Sequence, residues 1–163
     1  MSKDARQKLI RILQNAYSGE LAAAYAYRGH WKSLKASAER EGIKRIEAEE
    51  WAHRENVGKW LEKLDARPNR VREKIFWTIG KTLGASCHVS GWFFPMYFAG
   101  RLESGNVKEY EDAASYASEL EMQECVDELM DMAQTEAEHE VFFRDTVAEH
   151  RLLPLMRTFF RWS

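Results

Sequence analysis

Ile46-Glu47-Ala48-Glu49-Glu50-Trp51-Ala52-His53-Arg54-Glu55-Asn56-Val57 places a carboxylate, Glu50, three residues ahead of an imidazole, His53, within an apolar stripe marked by Ile46 and Val57. The arrangement returns in Glu136-Ala137-Glu138-His139, which lies between Met132 and Phe143. In a helix an i, i+3 pair occupies one face, about 4.5 Å apart along the axis, so each Glu and His can reach the same ion.

The helical period extends outward from these runs along nearly the whole chain. Leu9, Ile12, Leu13, Ala16, Tyr17, Ala23, Ala24, Tyr27 and Trp31 mark a first helix over about 4–36, with Glu20 inside the stripe. A second covers about 39–65, with Ile43, Ile46, Val57, Trp60, Leu61 and Leu64 inward, and ends before Pro68. A third region, about 70–118, is interrupted by Gly80, Gly84, Gly91 and Pro95. These should divide it into a short leading helix and a longer one after Ser90, with Glu103 one turn beyond Ala99. A fourth helix, about 120–148, turns Leu129, Met132, Ala133, Phe143 and Val147 to one side.

The expected fold is all-α: one antiparallel four-helix bundle over residues 1–150, its third helical region broken, followed by a basic and aromatic tail, 151–163. The ligand order Glu, Glu-x-x-His, Glu, Glu-x-x-His is that of ferritin-like di-iron and di-manganese bundles. The candidate metal ligands are therefore Glu20, Glu50, His53, Glu103, Glu136 and His139. Spacing by itself is weak, because Glu supplies 20 of the 163 residues. Burial strengthens it: four unpaired carboxylates inside a bundle are costly, whereas two divalent ions balance their charge. A carboxylate-rich set with one His per metal suits two iron ions, or manganese, better than zinc.

Composition excludes other classes. The chain is 45% apolar and 12% aromatic, with 24 Lys+Arg against 26 Asp+Glu, too rich in core formers for a disordered chain. The net charge of −2 conceals segregation: residues 1–108 carry 20 bases and 12 acids, residues 109–149 one base and 14 acids. No basic cluster interleaved with aromatics points to nucleic acid, and no Gly-rich phosphate loop is present. Cys87 and Cys125 have no metal-ligand or disulfide-framework spacing and read as reduced thiols of a cytosolic protein. The charged N-terminus, Met-Ser-Lys-Asp-Ala-Arg, shows no signal peptide.

Further residues carry a family resemblance over nearly all of 15–143. Gly19-Glu20 followed by Tyr27-Arg28-Gly29-His30 resembles the Gly-Glu and Tyr-x-Gly-Gln of the demethoxyubiquinone monooxygenase family, with His30 in place of Gln. Arg67-Pro68 and Trp77 are similar to its Arg-Pro…Trp connection, and Gly80-Lys81-Thr82-Leu83-Gly84 to its Gly-Phe-x-Leu-Gly. Met96, Tyr110 and the Glu136 motif also match. The chain departs from the pattern at Glu109, where the family has His, and at Ala133-Gln134-Thr135, where it has Arg-Asp-Glu.

The resemblance implies a di-iron monooxygenase that uses O2 to hydroxylate the ring of a polyprenylated quinol, a reaction of ubiquinone biosynthesis. Tyr110 is its candidate catalytic residue, for hydrogen bonding or electron relay beside the metals. Two features suit a hydrophobic, quinol-like substrate. From Ile75 to Leu102 the chain is dense in aromatics, with Lys81 and Arg101 its only charges. The tail, Arg151-Leu152-Leu153-Pro154-Leu155-Met156-Arg157-Thr158-Phe159-Phe160-Arg161-Trp162, mixes arginines with bulky apolar groups, as an interfacial anchor does. Both features equally suit packing onto the bundle or onto a second copy in a homo-oligomer. The location expected is cytoplasmic, peripheral at the inner face of the membrane. A ferritin-like ferroxidase or peroxide-scavenging protein, and a non-catalytic helical binding bundle, are the alternatives left open.

Overall fold

The computed structural model describes residues 3–35, 37–160 and 162. Six helices form, and the described residues include no strand: α1 Lys3–Ser33, α2 Ala38–Lys63, α3 Arg70–Ser86, α4 Phe93–Glu119, α5 Gln123–Val147 and α6 Leu153–Phe160. The expected all-α bundle is α1, α2, α4 and α5. The break in the third region falls at 87–92, where Gly91 takes a left-handed φ of 78°.

Local chemistry sets the helix ends. Ser37 caps α2 by accepting from the Arg40 N–H, and Asn69 caps α3 by accepting from the Val71 and Arg72 N–H groups. At the far end of α2, Asp65 adopts φ 50°, and the Ala66 N–H returns to the Leu61 carbonyl. α4 ends in the same way: Glu121 has φ 58° and the Met122 N–H returns to the Ala117 carbonyl. Both are Schellman turns built without glycine.

α1 pairs with α2 and α4 with α5. Cross-links between the pairs fix their direction: Asn15 meets Glu109 and Tyr27 meets Glu103, so α4 runs antiparallel to α1. Trp60 donates to Glu128 and Lys63 pairs with Glu124, so α5 runs antiparallel to α2. These contacts put part of the late acidic block opposite basic and indole groups of α2.

α3 is the crossover that returns the chain so that α4 can descend beside α1. It runs parallel to α1, Gly80 lying against Ala22 and Gly84 against Tyr25 and Gly29. Side chains larger than hydrogen would collide with backbone at these points, so a glycine seam sets the close approach. Those two glycines are the buried residues of α3, whereas Val71, Ile75, Trp77, Ile79 and Leu83 are exposed.

The apolar interior is in two parts. One surrounds Leu9, Leu13, Val57, Leu61 and Leu129, the other Ile43, Ile46, Met96, Tyr97 and Phe143. Burial at this scale contributes about 1.5–3 kcal/mol per large side chain. Between the two parts, in chain order, lie Glu20, Glu50, His53, Glu103, Glu136 and His139, all buried.

The tail segment folds back as α6. Leu153, Met156 and Trp162 are buried in the second cluster, while Leu155 and Phe159 are exposed. Trp162 donates to Glu140 at 2.9 Å and packs edge-on against Tyr97, in space left by the missing side chain of Gly100. Arg161 lies outside the described residues.

Candidate metal centre

Four helices supply one layer of side chains. α1 brings Glu20, α2 Glu50 and His53, α4 Glu103, and α5 Glu136 and His139. Their ligand atoms form two overlapping groups, Glu20, Glu50, His53, Glu136 and Glu50, Glu103, Glu136, His139, each gathered within 4.8 Å. Glu50 and Glu136 belong to both, an overlap compatible with a di-metal site.

The donor set fits metal better than it fits itself. Glu20 Oε2, both oxygens of Glu50, Glu136 Oε1, His53 Nδ1 and His139 Nδ1 are buried without a hydrogen-bond partner. His53 Nδ1 lies 2.8 Å from Glu136 Oε1 and His139 Nδ1 lies 3.4 Å from Glu50 Oε1, yet neither pair is aligned for a hydrogen bond. Lone pairs converge on common space, and buried polar atoms in this number are rarely left unsatisfied.

Electrostatics give the same reading. Burial, followed by the charge of Glu50, pushes the Glu20 carboxyl well above its usual range. Burial and Glu136 push Glu103 likewise and raise Glu50 to about 8. Glu136 goes the other way: burial opposes its charge, but the imidazoles of His139 and His53, close against its oxygens, outweigh it. His139 is raised to about 9, its burial overcome by Glu136 and Glu103. Without cations the layer must hold extra protons, and ions binding there displace them.

Hydroxyl and amide groups brace the carboxylates. Tyr110 donates its hydroxyl to Glu20, and Tyr27 donates to Glu103. Asn106 donates to Glu103 at 2.9 Å and to Glu136 at 3.4 Å. Burial and the neighbouring Glu20 raise the Tyr110 phenol well above its ordinary value, so it stays protonated and serves as a donor. Of these braces, Tyr27 was legible only as a stripe residue and motif tyrosine, and Asn106, one turn beyond Glu103, only through its spacing.

A cavity of about 590 Å³ adjoins the layer. Glu20, Glu103, Asn106 and Tyr110 line it on the polar side, with Glu109, held by Asn15 at 2.7 Å. Small residues of α1, Gly19, Ala22, Ala23 and Ala26, leave the space open; Phe76, Ile79 and Leu83 of α3 and Phe94, Phe98 and Leu102 of α4 wall it. His30 also lines it, buried, with Nε2 unpartnered and its pKa lowered to about 4 by desolvation, so the ring is neutral. His88 and His150 lie away from the layer; His150 stacks on Phe93 with centroids 4.1 Å apart.

Fold and site together define a ferritin-like bundle whose four main helices carry a paired carboxylate and histidine site able to hold metal. Residues 7–141 match the family described as Ubiquinone biosynthesis protein COQ7, and the chain belongs to that family. No curated protein and no solved structure gives a match. Membership assigns the chain to ubiquinone biosynthesis.

Proposed function

We propose that the chain is a di-iron monooxygenase that hydroxylates the ring of a quinol-like lipid with O2. One observation carries the reading: the cavity has buried carboxylates and Tyr110 on its polar side and an apolar, aromatic wall from α3 and α4 on the other. A ferroxidase has no use for a space of that lining, which suits a polar ring joined to a greasy chain.

Glu20, Glu50, His53, Glu103, Glu136 and His139 would hold the two ions. Iron bound there would supply the redox chemistry that ring hydroxylation by O2 requires. The protein's contribution is positional. Tyr110 fixes Glu20, Tyr27 and Asn106 fix Glu103, and the apolar walls exclude water from the reacting ring. Glu109, standing where the family has His, offers the quinol hydroxyl an acceptor on the cavity wall, and Asn15 fixes its direction.

We further assign the exposed apolar residues of α3 and α6 to a membrane surface. Residues 74–102 contain Lys74, Lys81 and Arg101 and no acid, and the tail adds arginines without acids, so the apolar face is flanked by cations. Among the described residues, no helix is long and apolar enough to cross a membrane. A peripheral seat on anionic lipid is what such a surface suits; a second copy of the chain is the competing occupant.

Lipid extraction from a strain lacking this protein tests the reaction. A quinone short of one ring oxygen should accumulate; an unchanged quinone profile overturns the substrate while leaving the metal site standing.

A further inference from the structure

The two halves of the metal layer are braced unequally. In the group formed by Glu50, Glu103, Glu136 and His139, three members have an outside partner. Glu103 receives Tyr27 and Asn106, Glu136 receives Asn106, and His139 meets a carboxylate that belongs to neither ligand group, Glu49. His139 Nε2 lies 2.8 Å from Glu49 Oε2, while its Nδ1 faces Glu50 and Glu136. Arg45, one turn earlier on α2, stands 3.6 Å from the other Glu49 oxygen. In the group formed by Glu20, Glu50, His53 and Glu136, Tyr110 steadies Glu20 and Asn106 reaches the shared Glu136, so the difference lies at the histidine: among the described residues His53 pairs with no carboxylate besides Glu136.

We propose that the two metal positions fill in order, the His139 position first, and that Glu49 is the positioning residue that makes it the tighter one. The proposal rests on the metal-centre reading above and adds a rank to its two halves. An acceptor at Nε2 fixes the imidazole as the Nε2–H tautomer, leaves the Nδ1 lone pair for the ion, holds the ring plane and makes Nδ1 more basic. Arg45 limits the freedom of Glu49, which is 36% exposed and would otherwise be solvated. His53, lacking that restraint, must be ordered by the ion itself, and ordering at the moment of binding subtracts from affinity.

The test is titration of metal-free protein with Mn(II), free ion being read from its aqueous paramagnetic resonance signal. Wild type should bind two ions in two resolved steps. Glu49→Ala should weaken the first step by about 10–100-fold and leave the second in place, the usual penalty for removing such a partner. Glu49→Gln, which keeps an acceptor but no charge, should fall between, and Glu49→Asp should recover much of the loss. With one equivalent of Zn(II), ring nitrogen shifts should report His139 ligated through Nδ1 in wild type and a mixture of histidines in Glu49→Ala. Equal weakening of both steps, or no change in either, overturns the ranking while the two-ion site stands. Failure of wild type to bind any ion overturns the metal-centre reading, and the ranking with it.

Discussion

Gly29 of α1 and Gly84 of α3 meet so closely that a methyl group on Gly29 would overlap the Gly84 backbone. Backbone cannot move aside as a flexible side chain can, so Gly29→Ala should destabilise the protein by about 1–3 kcal/mol through overpacking. Thermal unfolding measures the loss. Because α3 contributes none of the six ligands, metal content should be unaffected while occupancy of the cavity falls.

Stability of the metal-free chain should decline as pH rises. Glu50 and His139 have folded values near 8 and 9, above their ordinary 4.5 and 6.5. Each therefore stabilises fully below its unfolded value, and that contribution is lost as pH climbs through the folded one. His30, lowered to about 4, acts oppositely, but its window closes below 6.5. The midpoint of metal-free unfolding should thus fall between pH 6.5 and 9, and bound metal, which holds the deprotonated ligands, should remove the decline. A midpoint that rises across this range would contradict the assignment.

Tyr110→Phe removes the donor to Glu20 but keeps the ring beside His53, whose centroid is 5.9 Å away. Two ions should still bind, and turnover of a quinol substrate should fall by about 10–100-fold. Steady-state rates on protein of measured metal content separate this from simple loss of the site.

Ala23→Trp should fill the cavity from the α1 side, since Ala23 lines it and is not fully packed. Hydroxylation should be lost with both ions retained, as read by product analysis beside metal analysis. An active Ala23→Trp enzyme would mean that substrate reaches the carboxylates by another way.

Glu121→Gly tests the turn between α4 and α5. A non-glycine residue in left-handed conformation costs about 1–2 kcal/mol, partly offset by the greater unfolded freedom of glycine. The variant should be more stable by about 0.5–1 kcal/mol in denaturant titration.

Sequence periodicity revealed the helices and the buried Glu and His positions because both depend on local spacing. Ile43, Ile46 and Val57 mark the face on which Glu50 and His53 must lie. What escaped depends on contacts remote in sequence. Glu49 differs from a solvated acid only because α5 brings His139 against it, 90 positions later. Trp162 reads as an anchor residue until Gly100 makes a seat for it. The Schellman turns at Asp65 and Glu121 escaped because the usual glycine signal is missing.

The crossover helix divides the labour of the molecule. The layer of carboxylates and imidazoles is shared among α1, α2, α4 and α5, whereas Phe76, Ile79 and Leu83, part of the apolar wall, belong to a helix whose closest approach to the rest runs along two glycines. The side chains of that helix can change in size and shape without disturbing a ligand. A bundle built this way can reshape its cavity across evolution while its layer of carboxylates and imidazoles stays as it is.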